Sequence, residues 1–392
     1  MKKYFGLILV ASLIILELVC LISYSIISYR LVEPRDIVSE DKKDNNEQIS
    51  TVNKLSLFMV GDSLIHSAVY ADADRGNGNF DFSNMLSQFK DIVSSYHLAF
   101  YNQESILGGT ELGLSTYPRF NSPYEAGDAY RNIGFNLVSL ANNHTLDRGE
   151  QAIINSRNYW SNYSNVITAG SSKSLEDRNR SYIGEKNGIK YALLAYTTDT
   201  NGLVAPQGKE YLVDVYSDEK VNNDISLLKD KVDIIIVSMH WGSEYSFDVT
   251  DEQRQIAQHL SDLGVNIIIG HHPHVVEEID YVGNTLVVYS LGNFLSAQVG
   301  IDRLTGLMVS LDIVKTTENG ESSISFSNIK ADLTYTYSIK PNGYRTDFKI
   351  YPYHKLNNSI LPDYEMYYNK YMNIVLKNQL DIERWWDYGD IK

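Results

Sequence analysis

Hydrophobic and polar positions alternate in blocks along this chain. Short, nearly continuous apolar runs recur from residue 55 onward: "LSLFMV", "LAFYN", "NLVSLA", "YALLAY", "DIIIVSM", "NIIIG" and "TLVVYSL", each bounded by polar residues or glycine. Runs of that length without strict alternation predict strands buried on both faces. Between them lie stretches with a helical period, "FSNMLSQFKDIVSSY" after the first strand and "GEQAIINSRNYWSNY" after the third. A further stretch, "TDEQRQIAQHLSDLGV", opens with Thr250 and Gln253 at capping-box spacing and sets Ile256, Leu260 and Leu263 on one face. Strands interleaved with amphipathic helices predict an α/β fold with helices outside a sheet core.

Both ends depart from this pattern. Residues 4–28, "YFGLILVASLIILELVCLISYSIIS", form an apolar run long enough to cross a bilayer of ~30 Å at ~1.5 Å per residue. Lys2 and Lys3 before it favour an inside N-terminus, which predicts a single-pass cell-membrane protein with its main domain outside. A cleaved signal peptide is the alternative, but the run exceeds the ~7–15 residues of a signal core and lacks a small-x-small cleavage site. Glu17 within the run costs about 2.5–3.5 kcal/mol on insertion scales, which the surrounding leucines and isoleucines absorb.

The expected division is therefore a cytoplasmic tip and anchor over 1–30, a polar stalk over 31–52 and the main α/β domain over 53–305. From 306 to 361 the pattern turns to alternation, with Asn319-Gly320 as a hairpin turn, predicting added antiparallel strands of the same domain. The tail, 362–392, is aromatic-rich with helical character and is expected to dock on the body.

Charge and cysteine usage narrow the chemistry. With 34 Lys+Arg against 49 Asp+Glu, the formal charge of −15 argues against nucleic acid as a partner. A polyanionic ligand needs a local cationic site. Cys20 is the single cysteine, so any metal outside the membrane uses His, Asp, Glu or Asn.

The polar residues that could do so follow the ends of apolar runs. "LFMVGDSLIH" delivers Asp62 and His66, "AFYNQES" delivers Asn102 and Glu104, and "VSLANNH" delivers Asn142, Asn143 and His144. "IIIVSMHWGSEY" delivers His240 and Glu244, "IIIGHHPH" delivers His271, His272 and His274, and "VVYSLGNF" delivers Asn293. In open α/β sheets the carboxyl ends of strands form the ligand crevice, so these residues can converge. Each has an ordinary structural alternative, a cap, a loop or a core histidine. Six of the nine histidines nevertheless fall in these loops, whereas His97, His259 and His354 lie elsewhere and read as structural. Imidazole, carboxylate and amide oxygen without thiolate suit Mn, Zn, Fe or Mg, one ion or two.

In this order, "GDSLIH", "NQE", "ANNHTLDRG", "HWGSEY", "GHHPH" and "YSLGNF" resemble the motifs of the CapA (PgsA) family of poly-γ-glutamate capsule synthesis proteins, from about Leu55 to Phe294. The resemblance implies a calcineurin-like metallophosphoesterase fold, a layered β-sandwich flanked by helices with two metals over it. It makes Asp62, His66, Glu104, Asn143, His240, His272 and His274 metal ligands, Glu104 bridging, with His144 as general acid and His240 or Glu244 assisting. The His-His run offers two registers, so His271 could stand in place of His272. Asn102, Asn142, His271 and Asn293 are left as substrate-binding candidates. The pattern departs from phosphoesterases in two places: Asp62 and His66 are four apart where those enzymes have two, and Glu104 replaces an Asp. The implied function is poly-γ-glutamate synthesis, export or anchoring by a metal-dependent hydrolase or transferase site, with membrane synthase subunits and the acidic polymer as partners. A non-catalytic synthase subunit and a surface metallophosphatase are the alternatives.

Overall fold

Two sheets account for the apolar runs in a computed structural model that describes residues 50–180 and 183–386. Among the described residues no helix is long and apolar enough to cross a membrane. The apolar run at 4–28 and most of the expected stalk lie outside them.

The first sheet contains β1 (Ser50–Leu64), β2 (Leu98–Asn102), β3 (Leu137–Ser139) and β4 (Ile167–Ala169) in parallel order. On the other side of β1 the sheet continues antiparallel through β12 (Thr305–Glu318), β13 (Glu321–Ile339) and β14 (Thr346–Pro352), the alternating region. Asn319 and Gly320 make the β12–β13 turn with φ of 53° and 88°, as a two-residue hairpin with Asn-Gly requires. A short β11 (Asn293–Ser296) pairs parallel with the end of β1.

The second sheet runs β5 (Ile183–Lys186), β6 (Ile189–Thr197), β7 (Ile234–His240), β8 (Ile267–His271), β10 (Thr285–Val288) and β9 (Ile279–Val282), parallel from β6 to β10. Period-two alternation sorts the side chains into layers. Leu57, Met59, Ile234, Ile236, Ile267 and Ile269 meet in the core between the sheets. Phe58 and Val60 point outward to helices Tyr124–Ile133 and Gly149–Trp160, whereas Ile235, Val237 and Ile268 face helices Asp218–Ser226 and Asp251–Asp262. The architecture is a helix–sheet–sheet–helix sandwich. Thr250 and Gln253 form the reciprocal capping box their spacing predicts.

Two details differ from expectation, and the tail packs on the body. The strand β1 begins at Ser50, inside the stretch read as stalk, because its exposed first residues are held by backbone pairing to β12 rather than by an apolar face. The helix expected over "FSNMLSQFKDIVSSY" is broken into Ser83–Leu86, a 3-10 turn at Ser87–Phe89 and Lys90–Ser94, yet still buries Met85, Leu86, Phe89 and Val93. In the tail, helix Tyr364–Val375 buries Tyr368, Tyr371, Met372 and Val375 against the inter-sheet core, and Trp385 packs edge-on to Phe58 at 5.8 Å.

Candidate metal centre

Strand register brings the candidate residues together. Asp62 on β1 lies beside Asn102 on β2 and Asn293 on β11, and in the facing sheet His240 on β7 lies beside His271 on β8. These two rows meet across the open end of the sandwich: His271 Nδ1 stands 3.1 Å from Asp62 Oδ1, and Asn102 Nδ2 donates to Asp62 Oδ1 at 2.8 Å.

Glycine makes this approach possible. A Cβ on Gly61 would meet the Gly292 carbonyl oxygen at 1.8 Å, and one on Gly270 would meet the Tyr289 carbonyl oxygen at 1.8 Å. Each candidate that opens a turn here, Asp62, His271 and Asn293, is preceded by such a glycine. The following "HHPH" turn holds His272 at φ 98° and His274 at φ 58°, conformations that cost a non-glycine residue of order 1–3 kcal/mol and persist only where the surroundings enforce them.

Glu104 is the hub. Its Oε1 lies 3.7 Å from both His240 Nε2 and His274 Nε2, and Asp62 Oδ2 is 3.6 Å from His274 Nδ1. Ligand atoms of Asp62, Glu104 and His274 all fall within 4.8 Å of one another. A second set continues from His240, whose Nε2 is 3.1 Å from both Asn143 Oδ1 and His272 Nδ1.

The electrostatics suit a missing positive charge. Neither carboxylate oxygen of Glu104, fully buried, has a hydrogen-bond partner, nor does the buried Oδ1 of Asn102. Burial pushes the Glu104 carboxyl well above the ordinary range, with Asp62 and Glu244 adding to the rise and His274 opposing it. Burial also raises Asp62, but contacts from His271 and His274 outweigh it and hold that carboxyl well below the usual range. The imidazole of His274 is pushed down by burial and pulled harder by Glu104 and Asp62, reaching about 9. His240 is pushed well down and His272 to about 4, both chiefly by burial, which favours a neutral imidazole at His240 beside Glu104 and at His272 beside His240. Orphaned buried acceptors with imidazole, carboxylate and amide donors fit a divalent cation of the Mn, Zn, Fe or Mg type.

The remaining candidates take other places. His66 does not join the three-residue group; its Nδ1 is occupied by backbone, 3.0 Å from the Leu64 carbonyl and 3.3 Å from the Ala297 N–H, and burial pushes it to about 4. His144 Nδ1 lies 2.7 Å from Asp147 Oδ2, and the Phe120 ring packs edge-on against both His144 and His66. Glu244 is exposed at the rim.

The four substrate-binding candidates are buried and engaged with other residues of the protein. Asn102 holds Asp62, and Asn142 closes its own turn by donating to the Gln103 carbonyl and accepting from the His144 N–H. His271 is fully buried behind Asp62 and stacked on Phe100, and Asn293 Oδ1 meets His274 Nδ1 at 3.0 Å. All four are buried. Their position at strand ends is the same as that of the ligands; what differs is which way each side chain points.

Two neighbours were not singled out by sequence. Asp147 orients His144, and its signal was the His-x-x-Asp spacing within "HTLD". Tyr245, at φ 65°, stacks on His274 at 6.0 Å and donates its N–H to the Pro273 carbonyl; a lone aromatic after a strand gave no sequence signal.

The family model of the bacterial capsule synthesis protein PGA_cap matches residues 56–298. The chain belongs to this family. The PGA_cap region contains every residue of the centre and ends before β12, leaving the long hairpin and the tail outside it. Among curated relatives, the PGA biosynthesis protein CapA of Bacillus subtilis is 34% identical over 185 residues, 44% of this chain and 46% of that protein. The capsule biosynthesis protein CapA of Bacillus anthracis is 26% identical over 287 residues, 71% of this chain and 67% of that protein. The match thus spans under half the length of the first relative. A calcineurin-like phosphoesterase from Bacillus subtilis superposes with a TM-score of 0.42 at 14% identity, covering 72% of this chain and 91% of that one.

Proposed function

We propose that this PGA_cap protein acts in poly-γ-glutamate synthesis, export or anchoring as a membrane-anchored outer-face protein, and that its strand-end centre works as a metal-dependent hydrolase or transferase. The observation that carries the catalytic part is the buried Glu104 carboxylate, without a hydrogen-bond donor, between His240 and His274 and close to Asp62.

In this reading Asp62, Glu104 and His274 hold one divalent cation, and Glu104, Asn143, His240 and His272 offer a second place. Such a cation supplies electrophilic activation of a carbonyl or phosphoryl oxygen. The protein's own groups do the proton work. Asp147 holds the His144 Nδ1–H, so Nε2 can take up a proton and then pass it to a leaving group, an assistance worth about 10²–10⁴ in rate. His271, Asn102 and Asn293 hold Asp62 and His274 in place, as ligands in metal sites are ordinarily held by a surrounding hydrogen-bond shell.

The test is polymer formation in cells carrying His144→Ala or His272→Ala in otherwise full-length, folded protein. Loss of polymer is expected for both. Normal polymer with both variants sinks the catalytic reading and leaves a synthase subunit that needs only the fold and the anchor. Protease accessibility of the folded domain in intact cells tests the outside placement.

A further inference from the structure

At −15 the surface as a whole repels an acidic polymer, so the mouth of the centre must present a cation of its own. Among the arginines in segments around the centre are Arg148, Arg303 and Arg345. The Arg345 guanidinium is taken up by the carbonyls of Ala297 and Gln298 and by Ser338, and that of Arg148 by the carbonyls of Leu112 and Gly113 and by Ser115.

Arg303 is different. Among the described residues it forms no ion pair, because its neighbour Asp302 is bound to Lys370 and Tyr371, each at 2.6 Å. Its guanidinium carbon sits 4.9 Å from the centre of the Tyr245 ring, and that ring stacks on His274. Its backbone is tied to the same histidine from below: Asn293 Nδ2 donates to the Arg303 carbonyl at 2.9 Å while Asn293 Oδ1 contacts His274 Nδ1. Two separate routes, one through a ring and one through the backbone, therefore fix Arg303 beside a centre residue without using its hydrogen-bond donors on a carboxylate.

We propose that Arg303, braced on Tyr245, is a carboxylate-binding subsite that holds an acidic side group of the polymer at the mouth of the centre. A planar guanidinium lying over an aromatic ring can still offer two of its donors for bidentate contact with a carboxylate. Glu244 stands exposed on the same rim and repels the same ligand, so the subsite depends on Arg303. Arg303 lies beyond residue 298, outside the region that the family model matches. The proposal rests on reading the centre as the place where an acidic polymer is handled.

The experiment titrates a γ-linked glutamate oligomer, its methyl-esterified counterpart and phenyl phosphate into the full chain and into Arg303→Met, which keeps the aliphatic stem on Tyr245. Metal content is read by mass spectrometry on the same samples. The oligomer should bind the variant about tenfold more weakly, while the esterified oligomer shows no difference and metal content is unchanged. Equal oligomer affinity in variant and wild type, no oligomer binding to the wild type, or a dependence on Arg303 confined to phenyl phosphate overturns the subsite. Arg303→Gln provides the same comparison if the Met variant does not fold. Absence of metal from the wild type counts against the centre alone, because the Arg303 comparison is scored on oligomer affinity.

Discussion

Two buried charged clusters in this molecule solve the same problem in opposite ways. Beside helix Leu175–Arg178, Arg178 reaches Asp214 at 2.6 Å and Asp224 at 2.5 Å, Lys220 reaches Asp214 at 2.8 Å, and Arg157 pairs with Asp177 at 3.1 Å. Every carboxylate there has a cation from the protein. At the strand ends, Asp62 and Glu104 face imidazoles at 3.1 to 3.7 Å, and both oxygens of Glu104 are without donors. Burying a charge is expensive unless it is paired. The first cluster is complete as folded and contributes to stability, whereas the second leaves both Glu104 oxygens unpaired, which is where the proposed function puts a cation from outside.

The contrast is sharpest when one charge is removed from each cluster. Arg178→Ala leaves the half-buried Asp224 without a cation and Asp214 with Lys220 alone, and should lower folding stability by about 3 kcal/mol, read by chemical denaturation; a loss under about 0.5 kcal/mol would show that water already screens that network. Next in size is a support of the centre. Asn293→Ala frees the His274 ring and should weaken manganese binding by roughly 10- to 100-fold in a titration, with little change in the melting of the metal-free protein.

Glu277 offers a third kind of buried carboxylate. One oxygen accepts from Gln253 Nε2 at 2.7 Å, the other has no partner, and burial raises the group to about 8. With no imidazole against it, this carboxyl should stay protonated at neutral pH rather than call for a cation. Its folded value lies above the unfolded one near 4.5, so its contribution is fully present below about pH 4.5 and is lost as pH rises toward 8. Glu277→Gln should therefore be more stable than wild type by about 2 kcal/mol at pH 8, and the gap should close toward pH 5. The smallest effect separates the two orphan carboxylates from the paired ones. Glu104→Gln should stabilise the metal-free protein by about 1 kcal/mol while abolishing the stabilisation that added manganese gives the wild type. Destabilisation of the metal-free form would mean that Glu104 is paired as it stands.

How much of this was legible in the sequence depends on the kind of contact. The layering followed from near-continuous apolar runs, because a strand buried on both faces leaves that trace at every position, as in "IIIVS" and "NIIIG". Asp62, Glu104, His240 and His274 could be found because ligand chemistry restricts the residue type and the strand end restricts the place. Their supports could not be told from them, since the direction of a side chain at the last residue of a strand depends on register and on turns such as the positive-φ His272. The Arg178 cluster left no sequence signal at all: its partners are 36 and 46 residues away, and charged residues in a helix read as a solvated face. The break at Ser87–Phe89 was likewise hidden, since the same apolar positions are buried on either side of it.

Metal content decides whether the strand-end cluster receives a cation. The full chain, offered manganese and zinc, should carry one or two stoichiometric ions by mass spectrometry and lose them in His274→Ala, with Arg178 variants that remain folded unaffected. A wild type that stays free of metal under those conditions, or a His274→Ala protein that carries as much as the wild type, would contradict it.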